Sequence, residues 1–277
     1  EFNPNARYVI GVCIGVGIIE VVITNLSAMV IIKKSIKIEE ERFNHDLVFN
    51  KLVNLINEVI KDSEIDKEKI LGVGVALHGI VNARTGISIY APYYGWENVD
   101  IKSELEEALG LTVYVDNDVR AMALGESWFG VTSDIANFII LNISNGIGAG
   151  IIINNKPYYG VDFSAGEIGH IVVEPDGDKC NCGNYGCLET VASNNNITKK
   201  AIKLIKQGVN SSLKIKHEDI NNLTIEDICI AARNGDELSI TMLKEAARYI
   251  GIGITNLINI LNPTAIVVVG EIFENTT

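Results

Sequence analysis

No stretch of this sequence is long enough to cross a bilayer. The longest apolar run, Tyr8–Ile19 (YVIGVCIGVGII), falls short of the roughly 20 residues that a spanning helix needs. It also lacks the basic leader of a signal peptide. It is rich in Val, Ile and Gly, and so reads as a buried strand pair. Basic residues are scarce as well: 23 Lys and Arg against 35 Asp and Glu leave a net charge of -12. A surface that acidic repels phosphate backbones and argues against DNA binding by this stretch of chain. Cysteine is sparse and unevenly spread, with three of the five within Cys180–Cys187. An odd count without a secretion signal argues against a disulfide framework and for a cytoplasmic location.

What is present is a well-packed chain. Hydrophobic residues make up 47% of the 277, and the length suits two domains. The opening reads strand, turn, strand (RYVIGVCIGVGIIEVVITNL), with a further strand at AMVIIKKSIKI. Helical spacing marks Val48–Ile60, and ILGVGVALHGIV reads as a buried strand entering a glycine turn. Asp100 and Gly110 bracket a helix as N-cap and C-terminal stop. LTVYVDNDV is the next strand, and RAMALGESWFG the next helix. The strand–glycine turn–strand theme then recurs near residues 137–154, which suggests two related α/β lobes facing each other across a cleft, 1–118 and 119–277. Helices are expected at roughly 196–207, 224–234 and 236–260, and a last strand at PTAIVVVG. The termini suggest a chain trimmed at one or both ends.

The cysteine cluster has the spacing of a metal site: His170, nine residues, Cys180, one residue, Cys182, four residues, Cys187. Three thiolates and one imidazole close a tetrahedral zinc shell with no open position, which makes such a site structural. Gly183 and Gly186 permit the tight turns that aim three sulfurs at one point. Cys13 and Cys229 sit among apolar neighbours and read as small core residues.

A group of acceptors accompanies the cluster. Asp118 follows Asn117 at the end of the strand LTVYV, where a carboxylate can take a proton from a sugar hydroxyl. The alternative is that Asp116 or Asp118 caps the following helix. Glu167 precedes His170 by three residues, so the two share a face if GEIGH is helical. Glu189 follows Cys187 by two residues. One imidazole nitrogen can bind zinc while the other meets a ligand hydroxyl. The alternative is a solvated acidic face.

GEIGHIVVEPDGDKCNCGNYGCLET closely resembles the signature of the ROK family of sugar kinases and sugar-responsive transcriptional repressors. VYVDNDVRAMALGESWFG, NISNGIGAGIIINN and NPTAIVVVG resemble further segments of the family, and the likeness runs from about Tyr8 to Gly270. It is most like the sugar-binding body of a xylose-repressor-type regulator. The resemblance implies an α/β, actin-like (ribonuclease H-like) two-lobed fold with a structural zinc knot. It implies sugar contacts from Asn117, Asp118, Glu167, His170 and Glu189, and zinc ligation by His170, Cys180, Cys182 and Cys187. In a kinase of the family, Asp118 would be the general base.

The phosphate side departs from the kinase pattern. Where family kinases open with Asp-x-Gly-Gly-Thr, this chain has Cys13-Ile14-Gly15-Val16-Gly17. Asn145 replaces a threonine in the second loop, and Glu271 follows the last strand where kinases carry glycines. Phosphoryl transfer depends on positioning and charge neutralisation, so these losses weigh against ATP chemistry. Gly146, Gly148 and Gly150 remain but also serve turns. The expectation is a sugar-sensing effector domain whose winged helix-turn-helix head lies outside this chain. Such a domain would meet DNA only through that head, would avoid membranes, and would work as a homodimer or higher oligomer. Sugar would shift the lobes toward a closed population. The alternative is an ATP-dependent, hexokinase-type sugar kinase with ATP and magnesium as cofactors, and a purely scaffolding domain is a third reading. His78, Asn82 and Asn98, in the loop ALHGIVNARTGISIYAPYYGWENV, are candidate discriminators between hydroxyls, or plain turn residues.

Overall fold

β-branched residues pack well on a pleated surface, and the Val- and Ile-rich runs fold accordingly. The computed structural model describes residues 2–216 and 220–274. The chain opens with β1 (Tyr8–Ile14), β2 (Ile18–Asn25), β3 (Val30–Lys37) and helix α1 (His45–Asp62). Strands β4 (Ile70–Leu77), β5 (Ile80–Asn82), β6 (Ile87–Ala91) and β7 (Trp96–Val99) follow, then α2 (Ile101–Leu109), β8 (Val113–Asn117) and α3 (Asp118–Phe129). The remainder comprises β9 (Phe138–Ile143), β10 (Ile147–Ile153), β11 (Lys156–Pro157), α4 (Leu188–Ala192), α5 (Asn194–Lys206), α6 (Leu213–Lys216), α7 (Ile225–Arg233), α8 (Glu237–Leu261), β12 (Ala265–Val269) and α9 (Glu271–Glu274).

The chain divides into two compact units. One runs to Val131 and includes Tyr159–Ala165; the other holds Thr132–Tyr158 and the chain from Gly166 onward. The division falls after Val131 rather than at 118/119 as read from the sequence. Helix α3 packs on β4 and β8, so it stays with the first unit. Tyr159–Ala165 returns to that unit, which no local pattern announces.

In the first unit the sheet order is β3-β2-β1-β4-β8. β1 pairs antiparallel with β2 and parallel with β4, and β4 runs parallel to β8. Ile10, Val12, Ile14, Ile19, Val21 and Ile23 are buried in one core with Val48, Leu52, Leu55, Ile56 and Val59 of α1. The register sets Ile14 beside Leu77 and Leu77 beside Asn117, so three parallel strands end together. Asp100 accepts from the Ser103 amide, and Gly110 adopts a left-handed conformation with φ 60°, as the sequence predicts. The segment read as a loop between His78 and Val99 instead contains β5, β6 and β7, which form a small antiparallel sheet.

The second unit repeats the opening theme. β9 pairs antiparallel with β10 and parallel with the late strand β12, as β1 does with β2 and β4. Its sheet order is β11-β10-β9-β12. Ile139, Leu141 and Ile143 join a core with Ile228 and Cys229 of α7 and Met242, Ala246 and Ile250 of α8. Cys229 is thus a core residue, as read from the sequence. Cys13 is not: on β1 it alternates with the buried Val12 and Ile14, and its own side chain is exposed. No described helix is long and apolar enough to cross a membrane.

Candidate functional site

The first unit concentrates its polar groups where β1, β4 and β8 end. Asn117 closes β8 and caps α3: its Oδ1 accepts from the amides of Val119 at 3.0 Å and Arg120 at 3.1 Å. Its Nδ2 donates to the Gly79 carbonyl at 3.0 Å, fixing β8 to the turn after β4. The helix cap is therefore Asn117 rather than Asp116 or Asp118. Asp118 begins α3 and accepts from the Val119 amide at 2.9 Å. Burial pushes its carboxyl above the usual carboxylate range, with His78 opposing the shift. Asp116 is occupied elsewhere, accepting from Arg120 Nε at 2.8 Å.

Arg120 itself is buried, a residue that sequence reading passed over. Its Nη1 donates to the Phe163 carbonyl at 2.7 Å and its Nη2 to the Val81 carbonyl at 2.9 Å. The guanidinium also lies over the Tyr159 ring, 5.2 Å from its centre. One side chain thereby fastens Tyr159–Ala165 to the unit that holds Asp118. The i, i+4 spacing of Asp116 and Arg120 was the available signal.

The turn between β1 and β2 holds the stretch that departs from the kinase pattern in sequence. Gly17 has φ +81°, and a Cβ there would stand 3.3 Å from the Tyr93 hydroxyl oxygen. A threonine would be strained in this left-handed region, so the glycine is built into the turn. The Tyr94 hydroxyl donates to the Gly15 carbonyl at 2.8 Å, and the Ile38 amide donates to the Gly17 carbonyl at 3.0 Å. Desolvation, with the charges of Asp118 and Glu20, pushes the Cys13 thiol up to about 11.

In the second unit, His170, Cys180, Cys182 and Cys187 place their ligand atoms within 4.8 Å of one another. His170 Nδ1 is 3.5 Å from Cys180 Sγ, and Cys182 Sγ is 3.7 Å from Cys187 Sγ. Tetrahedral zinc, with Zn–S about 2.3 Å and Zn–N about 2.0–2.1 Å, requires donor separations of about 3.5–3.8 Å. The cluster therefore fits a metal ion of that size and softness. Gly186, with φ +65°, approaches the Glu174 carbonyl so closely that a Cβ would fall 1.5 Å from it. Only glycine permits this turn, which brings Cys187 to the other donors.

The same loop positions the acceptors. GEIGH forms one short 3-10 turn, Ile168–His170, preceded by Glu167, rather than an α-helix. Even so, Glu167 and His170 meet: His170 Nε2 lies 3.8 Å from a Glu167 carboxylate oxygen. With Nδ1 turned toward the thiols, Nε2 is the nitrogen left for another partner. Glu189 lies in the first turn of α4, just after Cys187, and its carboxylate accepts from the Ile147 amide at 3.2 Å. Glu189 therefore contacts the β9–β10 turn, where Asn145 is exposed. Glu271 begins α9 and accepts from Asn194 Nδ2 at 2.9 Å.

Comparison with known proteins accounts for this combination. The ROK family model matches residues 9–277. The chain belongs to the ROK family. It is 35% identical over 270 residues to the xylose repressor of Caldicellulosiruptor bescii, spanning 97% of this chain and 67% of that protein. It is also 35% identical over 227 residues to the glucokinase of Halalkalibacterium halodurans, spanning 82% of this chain and 69% of that one. A solved ROK family transcriptional regulator, a homologue of the E. coli MLC protein, superposes with a TM-score of 0.88 at 34% identity. That match covers 99% of this chain and 67% of the regulator. A ROK family glucokinase from Streptomyces griseus, solved with glucose and AMPPNP, gives 0.86 at 27% identity, over 97% of this chain and 84% of the enzyme. The α/β fold is thus the actin-like one shared by ROK regulators and ROK kinases.

Proposed function

We propose that this chain is the sugar-binding effector domain of a ROK-family transcriptional regulator, with zinc in the three-cysteine, one-histidine cluster. The observation that carries the reading is the β1–β2 turn. Gly17 stands at a positive φ where the kinase motif has threonine, and Cys13, its thiol held protonated, stands where the motif has an acid. Such a turn offers neither the hydroxyl nor the carboxylate that would manage Mg-ATP. The sugar-side residues are all kept. Sugar contacts are assigned to Asn117, Asp118, Glu167, His170 and Glu189. Zinc would hold the Cys180–Cys187 loop rigid and set the direction of the His170 ring. The 35% identity to a xylose repressor supports the regulator reading. Sugar acts in this reading as a population shift, favouring one form of a longer protein whose DNA affinity differs. The longer protein acts in the cytoplasm as a homodimer or larger assembly.

The second reading, an ATP-dependent sugar kinase, draws on the equal identity to a glucokinase. It draws too on Asp118, whose raised pKa suits a general base. Thermal unfolding separates the two. The chain is scanned against xylose, glucose, fructose and N-acetylglucosamine, each with and without Mg-ATP. Ligands that bind the native state raise the midpoint. A sugar that raises it with no further gain from Mg-ATP fits the sensor. Added stabilisation by Mg-ATP with sugar-dependent ADP release makes the chain a kinase.

A further inference from the structure

The ends of β1, β4 and β8 hold one polar group that the assignment above leaves without a task. His78 directly follows β4 as Asp118 directly follows the adjacent parallel strand β8, and each side chain lies close enough to act on the other's charge. Its Nδ1 faces the Ile14 carbonyl at 3.5 Å. A carbonyl can only accept, so that contact places the imidazole proton on Nδ1 and makes Nε2 an acceptor. Nε2 is buried, and no described residue hydrogen-bonds it.

The surroundings keep it that way. The ring sits against Tyr93 and Tyr94, with ring centres 6.2 and 5.6 Å away. Both hydroxyls already donate elsewhere, Tyr93 to the Ile38 carbonyl and Tyr94 to the Gly15 carbonyl. Burial also holds the His78 pKa below the ordinary histidine range, against the opposing charge of Asp118, so the ring is neutral near pH 7. An acceptor buried without a donor destabilises the fold. Such an atom calls for a partner that the described chain does not supply, a water, an ion or a ligand.

We propose that His78 Nε2 accepts a hydrogen bond from one hydroxyl of the bound sugar while Asp118 accepts from its neighbour, so that the two residues together read a vicinal diol. This rests on the sugar-binding reading and names the residue that selects among sugars. A sugar with both hydroxyls is held at two points. A deoxy analogue lacking the first leaves Nε2 as unpartnered as in the free protein.

Affinities are measured calorimetrically for the chain, His78→Leu and His78→Gln, using whichever panel sugar stabilises the chain and each of its monodeoxy analogues. His78→Leu should weaken the parent sugar roughly tenfold. His78→Gln, whose amide oxygen can accept, should recover part of that loss. One deoxy analogue should bind the wild type roughly tenfold worse than the parent sugar, yet bind His78→Leu as well as the parent does. Should His78→Leu fail to fold, the imidazole nitrogen resonances of the wild type decide: that of Nε2 must move when sugar saturates the chain. Unchanged sugar affinity and analogue ranking in His78→Leu, or an unmoved Nε2 resonance, overturns the inference while the sensor reading stands, and Nε2 then holds only a water. A wild type that binds no sugar overturns both.

Discussion

Asp118 shows how a single residue can work against the stability of its own fold. Its folded pKa lies above the unfolded value because burial disfavours the carboxylate. The cost to folding is absent below the unfolded pKa of about 3.9, grows as pH rises through the folded value, and is complete above it. Asp118→Asn should therefore raise the ligand-free melting temperature at pH 7 while abolishing the sugar-dependent rise. Calorimetric scans with and without sugar check both halves, and a lowered ligand-free midpoint would count against the pKa argument. Cys182 offers the opposite case. It is exposed, so Cys182→Ser removes no core packing. A marked loss of melting temperature in that variant, together with loss of about one zinc per chain by metal analysis, would trace the stability to the ion. An unchanged melting temperature and metal content would refute the zinc assignment. The candidate metal cluster was legible in the sequence because three of its four residues lie within eight positions, where chain geometry alone brings them close. The burial of Cys13 was misjudged because β1 has one wholly buried face and one partly open face, and its apolar run looks alike on both.

At the scale of elements, the cap of α8 bears a load out of proportion to its size. Asp236 accepts from the amides of Ser239 at 3.0 Å and Ser212 at 2.7 Å. It also accepts from the hydroxyls of Ser211 at 3.0 Å and Ser239 at 2.8 Å. Burial raises its pKa, but these hydrogen bonds outweigh it and hold the carboxyl below the usual range. That stability is present above about pH 3.9 and is lost as pH falls through the folded pKa. Asp236→Ala should cost about 1–2 kcal/mol or more at pH 7 by chemical denaturation. The gap to wild type should narrow in acid. The helices were largely legible because caps and periodicity are local: Asp100, Gly110 and the 3.6-residue spacing of α1 all sit within their own elements. β5, β6 and β7 were not, because they are short, interrupted by turn residues, and defined by pairing with one another.

At the scale of the whole molecule, one long-range contact inside the first unit is announced by no local pattern. Arg120 reaches the Phe163 carbonyl and the Tyr159 ring, far along the chain, and so ties Tyr159–Ala165 to the unit in which both lie. Arg120→Ala should lower stability by about 3 kcal/mol or more, because the lost guanidinium leaves the Phe163 and Val81 carbonyls without this donor and Asp116 without its ion-pair partner. Amide exchange in Tyr159–Ala165 should accelerate first, ahead of the strands. Uniform acceleration across the chain would mean that Arg120 supports the fold generally and does not fasten that segment in particular.

That fastening has a consequence for how the chain is made. A ribosome delivers residues in order, yet the first unit needs a piece that emerges only after β9, β10 and β11 have been released. Until then the Arg120 guanidinium must stay hydrated, since one of its carbonyl partners has not been synthesised. Completion of the N-terminal unit is therefore postponed, and the two halves mature in an interleaved order rather than one after the other. The first unit of a nascent chain should stay open to proteases while only residues up to Val131 have left the ribosome, and should close to them once Ala165 has emerged.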